Sequence, residues 1–221
     1  MHATIFAKVD QYISNLLGKE SDALKSATQN IISQNIADAS ISSNQGKLLQ
    51  VFAKACNAKR ILELGTLGAY STIWLANALP DDGKIITIEL DEHHAKVALK
   101  NIENAGLSGK IDLRIGKAQE IVSNLVEVRA EPFDMIFIDA DKPPYTEYFK
   151  LALQLSRSGT IIICDNVIRN GKVLDKNSSD EKVLGVQRLI AFLSECKEVT
   201  ATVLQTVGVK EYDGMVIAVV N

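Results

Sequence analysis

Five short apolar runs constrain this chain more than any other feature: RILELG from Arg60, KIITIEL from Lys84, KIDLRIG from Lys110, FDMIFIDA from Phe133 and GTIIICDN from Gly159. Segments of helical spacing separate them, and that alternation predicts βαβ units around a parallel sheet. Ile161 to Cys164 is apolar throughout, as suits a central strand covered by helices on both faces. The ending differs, because VTATVLQT and GMVIAVV are joined by only VGVKEYD, too short for a helical crossover. An antiparallel hairpin is therefore expected to close the sheet.

Upstream, Ile5, Val9, Ile13, Leu16 and Leu17 recur at helical spacing, followed by Leu24, Ala27, Ile31 and Ile32. The reading is one domain over 1–221, with a helical segment at 1–40 and a catalytic core at 41–221. At 221 residues and 47% hydrophobic composition, one sizeable core is expected. The net charge of -3 gives no global attraction to nucleic acid or anionic lipid. Cys56, Cys164 and Cys196 are too scattered for a disulfide framework or a C-x-x-C site, which points to a reducing cytoplasm. The start lacks a signal-peptide pattern, and no apolar run approaches the roughly 18 residues of a membrane span. A soluble, unprocessed protein is expected.

In open α/β sheets ligands bind beyond the carboxyl ends of the strands, so the strand ends are where chemistry belongs. LELGTLGAYS sets Glu63, Gly65, Thr66, Gly68 and Ser71 at a strand-to-helix turn, where glycine permits close approach and a helix N-terminus offers free N–H groups. The dinucleotide fingerprint fails, because Leu67 stands at its second glycine. Glu89 ends the next strand, where a carboxylate can hold a ribose diol. Beyond the third, Gly116 and Ala118 leave room for a flat base.

The pattern E-x-G-T-x-x-x-Y-S, the acidic second strand end, FIDADK and IICDN together resemble the cation-dependent O-methyltransferases that use S-adenosylmethionine, a group that includes the caffeoyl-CoA and catechol enzymes. The resemblance runs from ISSNQGKLL to YDGMVIAVV. It implies a seven-stranded, Rossmann-like class I methyltransferase sheet with an antiparallel last strand. It also implies that Glu63, Gly65, Thr66 and Ser71 surround the methionine part of the cofactor, that Glu89 binds ribose, that Ala118 lines the adenine pocket and that Ile41 touches the cofactor. Two positions depart from the family: Ala69 stands where glycine is common, and Lys117 where an acid or proline is.

Asp139 ends the fourth strand and Asp165 and Asn166 the fifth. Neighbouring strands bring these oxygens together, and Asp139 also borders the cofactor. An oxygen-only set suits Mg²⁺, with Mn²⁺ or Ca²⁺ as alternatives, rather than zinc. Cys164 is expected to point away, since strand residues alternate faces. In the family pattern the lysine at Lys142 takes the acceptor's proton; lysine does so only where its surroundings favour the neutral form. Asp141 is expected outside the ligand set, near the cofactor side. Tyr145 and Tyr148 are expected to line the acceptor or cofactor pocket, Tyr148 on the cofactor, Trp74 to pack in the core, and His93 and His94 to sit on the surface.

The first reading is therefore methyl transfer to a vicinal hydroxyl of a small aromatic acceptor. A rival is methylation of 5-hydroxyuridine in tRNA, for which Arg169, Lys172 and Lys176 give only a modest basic rim diluted by acids. From another class come an NAD-binding oxidoreductase, disfavoured by the missing glycines, and a non-catalytic cofactor-binding module, disfavoured by the full set Asp139, Lys142, Asp165 and Asn166. The N-terminal helices either cover the acceptor pocket or pair with another copy, and a homodimer is expected.

Overall fold

The computed structural model describes residues 2–221, with side chains from residue 5 onward. Three helices come first: α1 (His2–Leu16), α2 (Asp22–Ser33) and α3 (Ser43–Ala55). There follow β1 (Arg60–Leu64), α4 (Tyr70–Ala76), β2 (Lys84–Glu89), α5 (Glu92–Asn104), β3 (Ile111–Ile115), α6 (Ala118–Glu127), β4 (Phe133–Ile138) and α7 (Tyr145–Gln154). The chain ends with β5 (Ser156–Asp165), a single 3₁₀ turn at Lys172–Leu174, α8 (Glu181–Glu195), β6 (Val199–Gly208) and β7 (Glu211–Val220).

The strands form one sheet in the order β3-β2-β1-β4-β5-β7-β6. The first five are parallel, and β7 runs antiparallel to both β5 and β6. The expected hairpin is present and tighter than the sequence suggested. Its strands extend through Gly208 and from Glu211, leaving two residues between them.

Alternation along the strands builds two cores. Ile61, Met135, Phe137, Ile161 and Ile163 pack on the side of α2, α3 and α4. Leu62, Ile136, Ile138, Ile162 and Cys164 pack on the side of α7 and α8. Burying each such large side chain contributes about 1.5–3 kcal/mol. Cys164 thus faces away from Asp165, as period-two alternation requires, and Trp74 lies in the first core at 3% exposure. At the far end of the sheet, Asp134 accepts from the backbone N–H of Lys59 and Arg60 and from Arg157, tying the starts of β1 and β5 across β4.

The third helix, α3, opens with a reciprocal capping box between Ser42 and Gln45. Gly46 is required there, because a Cβ would lie 2.3 Å from the Trp74 ring. The first helix is turned against its own pattern. Its half-buried positions are Ala7, Asp10 and Ser14, whereas Val9, Tyr12, Leu16 and the following Leu17 are 50–70% exposed. Asp10 fixes that orientation, accepting from Asn44 of α3 and from the Val209 N–H in the β6–β7 turn. The apolar side of α1 therefore does not cover the sheet. Among the described residues no helix is long and apolar enough to cross a membrane.

Candidate active site

The strand order reverses between β1 and β4, and a cavity of about 630 Å³ opens beyond their carboxyl ends. Gly65, Thr66, Leu67 and Ser71 form one wall of it. The turn is tightly wound: Gly65, Leu67 and Ala69 all have positive φ, at 95°, 50° and 66°. Gly65 has no alternative, since a Cβ would sit 2.2 Å from the Asp139 carbonyl oxygen. Gly68 is equally constrained by Ile31 of α2, and Asn101 donates to its carbonyl while accepting from Asn30. The second N-terminal helix thus buttresses the back of the turn.

Glu63 lies beneath this wall rather than in it. It is fully buried and accepts from the hydroxyls of Ser71 at 2.6 Å, Thr72 at 2.5 Å and Thr87 at 2.7 Å. Thr66 reaches the same cluster through Thr87. Burial pushes the Glu63 carboxyl up to about 7 against those three hydrogen bonds, with the Asp139 charge adding to the rise. The native state therefore binds a proton more tightly than the unfolded chain, so Glu63 makes stability fall as pH rises from about 4.5 to about 7. At ~1.4 kcal/mol per unit this is about 3 kcal/mol. Urea unfolding of the cofactor-free protein at several pH values should show that slope reduced in Glu63→Gln; identical pH profiles would contradict it.

On the β2 side of the cavity, Glu89 accepts from the Leu67 N–H at 2.7 Å and the Asp91 N–H at 2.9 Å, which leaves it further lone pairs for a diol. Gly116 and Ala118 line the cavity below it. Lys117 also lines the cavity, with its exposed amine paired to Glu120. His94 corrects the sequence expectation: it lines the cavity, with Nδ1 3.7 Å from Glu89. The Asp91 cap, which accepts from the N–H groups of His93 and His94, turns the start of α5 that way. His93 instead meets the Gln34 carbonyl.

The roof is the segment Ala39–Ser40–Ile41, held from outside by an ion pair between Asp38 and Lys210 of the β6–β7 turn. Tyr70, also lining the cavity, donates to Glu20 between α1 and α2. Tyr148 lines the opposite wall and donates to Asp141. Tyr145 does not line the cavity, contrary to expectation. It is fully buried, with its hydroxyl against the amine of Lys142.

At the floor, Ile138 pairs with Cys164 across β4 and β5, so the next residues, Asp139 and Asp165, come side by side. Lys142 Nζ lies 2.9 Å from Asp139 Oδ1. Asp165 is 1% exposed, and among the described residues its carboxyl accepts from the Asn166 N–H. Burial pushes the Asp165 carboxyl well up, the Asp139 charge adds to this, and Lys142 opposes it. Asn166 takes a left-handed conformation, φ 58°, which asparagine tolerates, and lines the cavity. Among the described residues no three His, Cys, Asp or Glu side chains gather as a metal cluster. The donor set here is instead two carboxyls and an amide with the Lys142 amine beside them, and oxygen donors of that kind fit a hard divalent cation with water completing its shell.

A doubly covered sheet with a deep cavity at its switch point, a glycine turn on one side and a carboxylate–lysine pair on the other defines an α/β enzyme that seats a cofactor beside a reacting group. The O-methyltransferase family model matches residues 14–219. A catechol O-methyltransferase of Niastella koreensis is 58% identical over the full length of both chains, and one of Mycobacterium tuberculosis is 36% identical over 96% of this chain and 95% of its own. The O-methyltransferase TomG of Streptomyces achromogenes, solved with SAM, superposes with a TM-score of 0.96 at 43% identity, covering 100% of this chain and 99% of its own. An O-methyltransferase of Bacillus cereus solved with SAH gives the same score and identity, over 99% of this chain and all of its own. The chain belongs to the O-methyltransferase family, among the S-adenosylmethionine-dependent enzymes its motifs resemble.

Proposed function

We propose that this enzyme transfers the methyl group of S-adenosylmethionine to one hydroxyl of a vicinal pair on a small aromatic acceptor, with a divalent cation held by Asp139, Asp165 and Asn166. The observation that carries this reading is the Asp139–Lys142 pair and Asn166 on the cavity lining, with the buried Asp165 behind them at the end of β5. A bound cation would supply charge that favours ionisation of the acceptor hydroxyl, with Mg²⁺ the first candidate. The remaining work belongs to the chain. Ser71, anchored by Glu63, and the backbone of the Gly65 turn hold the methionine end, while Glu89 takes the ribose diol and Ala118 makes room for the base. Lys142 Nζ accepts the acceptor's proton, and the cavity walls align the oxygen with the methyl carbon.

The test is transfer of labelled methyl from S-adenosylmethionine to a panel of catechols, caffeoyl-type esters and 5-hydroxyuridine, free and in tRNA. Label on a catechol hydroxyl supports the proposal. Label confined to tRNA, with salt-sensitive retention of the RNA, overturns the small-acceptor reading.

We also propose that the outward apolar side of α1 pairs with a second copy of the chain. Val9, Tyr12 and Leu16 are exposed on that side, and a separate groove lined by Phe6, Val207 and Tyr212 opens beside the same helix. Light scattering at low micromolar concentration should give a dimer mass, and Leu16→Glu a monomer. A monomeric wild type contradicts the pairing.

A further inference from the structure

The hydroxyl of Tyr145 sits at a junction. Lys142 Nζ donates to it at 2.6 Å while pairing with Asp139, and the hydroxyl places its own proton on the Asp165 carbonyl at 2.9 Å or the Ile138 carbonyl at 3.2 Å. Those two carbonyls belong to the last residues of β5 and β4, the strands that deliver Asp165 and Asp139. One buried hydroxyl therefore touches the amine and both strand ends.

The segment Lys142–Pro143–Pro144–Tyr145 is built for this. The Tyr145 N–H bonds back to the Lys142 carbonyl at 3.2 Å, and the two prolines between them bring no N–H groups to satisfy and fix φ. From outside, α8 presses on the same residue: a Cβ on Gly185 would lie 2.2 Å from the Lys142 carbonyl oxygen, and Arg188 donates to the Pro143 carbonyl. The backbone of Lys142 is thus clamped by α8. Its side chain, which is otherwise free to sample many rotamers, is clamped by Tyr145.

We propose that Tyr145 is the positioning residue for Lys142: its hydroxyl holds the amine at the mouth of β4 and locks the ends of β4 and β5 to each other. The inference rests on Lys142 acting as the base. Tyr145 touches no part of the cofactor cavity, so its contribution runs through the lysine.

The experiment is a double-mutant cycle of Tyr145→Phe and Lys142→Ala, with kcat, the KM for S-adenosylmethionine and calorimetric affinity for S-adenosylhomocysteine measured on each. Tyr145→Phe is expected to lower kcat about 10- to 100-fold while leaving cofactor KM and product affinity within about twofold, as for loss of a group that aligns a base. The double variant should be no slower than Lys142→Ala alone. Wild-type kcat in Tyr145→Phe overturns the inference, as do losses that multiply in the double variant or a matching fall in product affinity. Full activity in Lys142→Ala removes the base itself, a failure distinct from an inactive Lys142→Ala with a normal Tyr145→Phe. A measurement on the wild type needs no variant to fold: amine acylation mapped by mass spectrometry should label Lys142 at least about tenfold more slowly than exposed Lys176. Equal rates would show an amine that is not held, and would overturn the inference.

Discussion

Lys142→Ala should lower kcat by about 10²- to 10⁴-fold, the range removed with a general base, while the KM for S-adenosylmethionine changes little. Lys142 is 6% exposed and its amine lies 2.9 Å from Asp139, whereas, Asp139, Ile41 and Tyr148 apart, the groups assigned to the cofactor lie at the β1, β2 and β3 ends. Removing it leaves those walls intact. Lys142→Arg separates two roles for the same residue. A guanidinium keeps the positive charge but does not give up its proton in proteins, so a base cannot be rescued by arginine and a purely electrostatic group can. The expected result is that Arg is about as slow as Ala. Recovery of most of the activity by Arg would show that Lys142 acts through its charge.

Gly65→Ala is expected to cost cofactor affinity at least about tenfold and to destabilise the fold by about 2–4 kcal/mol, because two independent penalties meet there. The backbone stands at φ 95°, where an L side chain is strained, and the new Cβ would lie 2.2 Å from the carbonyl oxygen of Asp139. Relief requires moving either the turn that holds the cofactor or the residue assigned to the cation. Gly106→Ala is the control. It has φ 69° with nothing near its added Cβ, so it carries the strain alone, about 1 kcal/mol, and should leave cofactor binding unchanged. Isothermal calorimetry with S-adenosylhomocysteine and urea unfolding measure both effects. Equal behaviour of the two variants would contradict the steric account.

The strand frame is legible because short β-rich runs alternate with helical spacing, and Met135–Ile138 and Ile161–Cys164 are apolar on both faces up to Asp139 and Asp165, whereas Asp112 and Arg114 alternate with apolar residues in β3. The register then brings Asp139 and Asp165 together without further information. The third helix was missed although its capping signature, Ser42 followed by Gln45, was present; Gly46 within the first turn weakens its helical pattern, and its reason is the distant Trp74 ring. Period reveals that α1 is amphipathic but not which way it faces. The bonds from Asn44 and Val209 to Asp10 decide that, and they span 34 and 199 positions of sequence. Tyr145 and Tyr148 look equivalent in sequence. The proline turn sends the first inward to Lys142 and leaves the second on the cavity wall, a difference set by a backbone path that composition does not encode. His94 likewise reaches the cavity only because the Asp91 cap aims the start of α5 at Glu89.

Metal-assisted methyl transfer, as proposed with a cation held by Asp139, Asp165 and Asn166, can be tested without any variant. The most direct measurement follows labelled methyl transfer to a catechol after exhaustive treatment with EDTA, and again after Mg²⁺ is restored, with S-adenosylhomocysteine affinity measured in both states. The expected result is loss of transfer on chelation, recovery with Mg²⁺ and product affinity changed by less than about threefold, since the cofactor groups on β1, β2 and β3 are not cation ligands. Undiminished transfer by the chelated, metal-free protein would contradict the account.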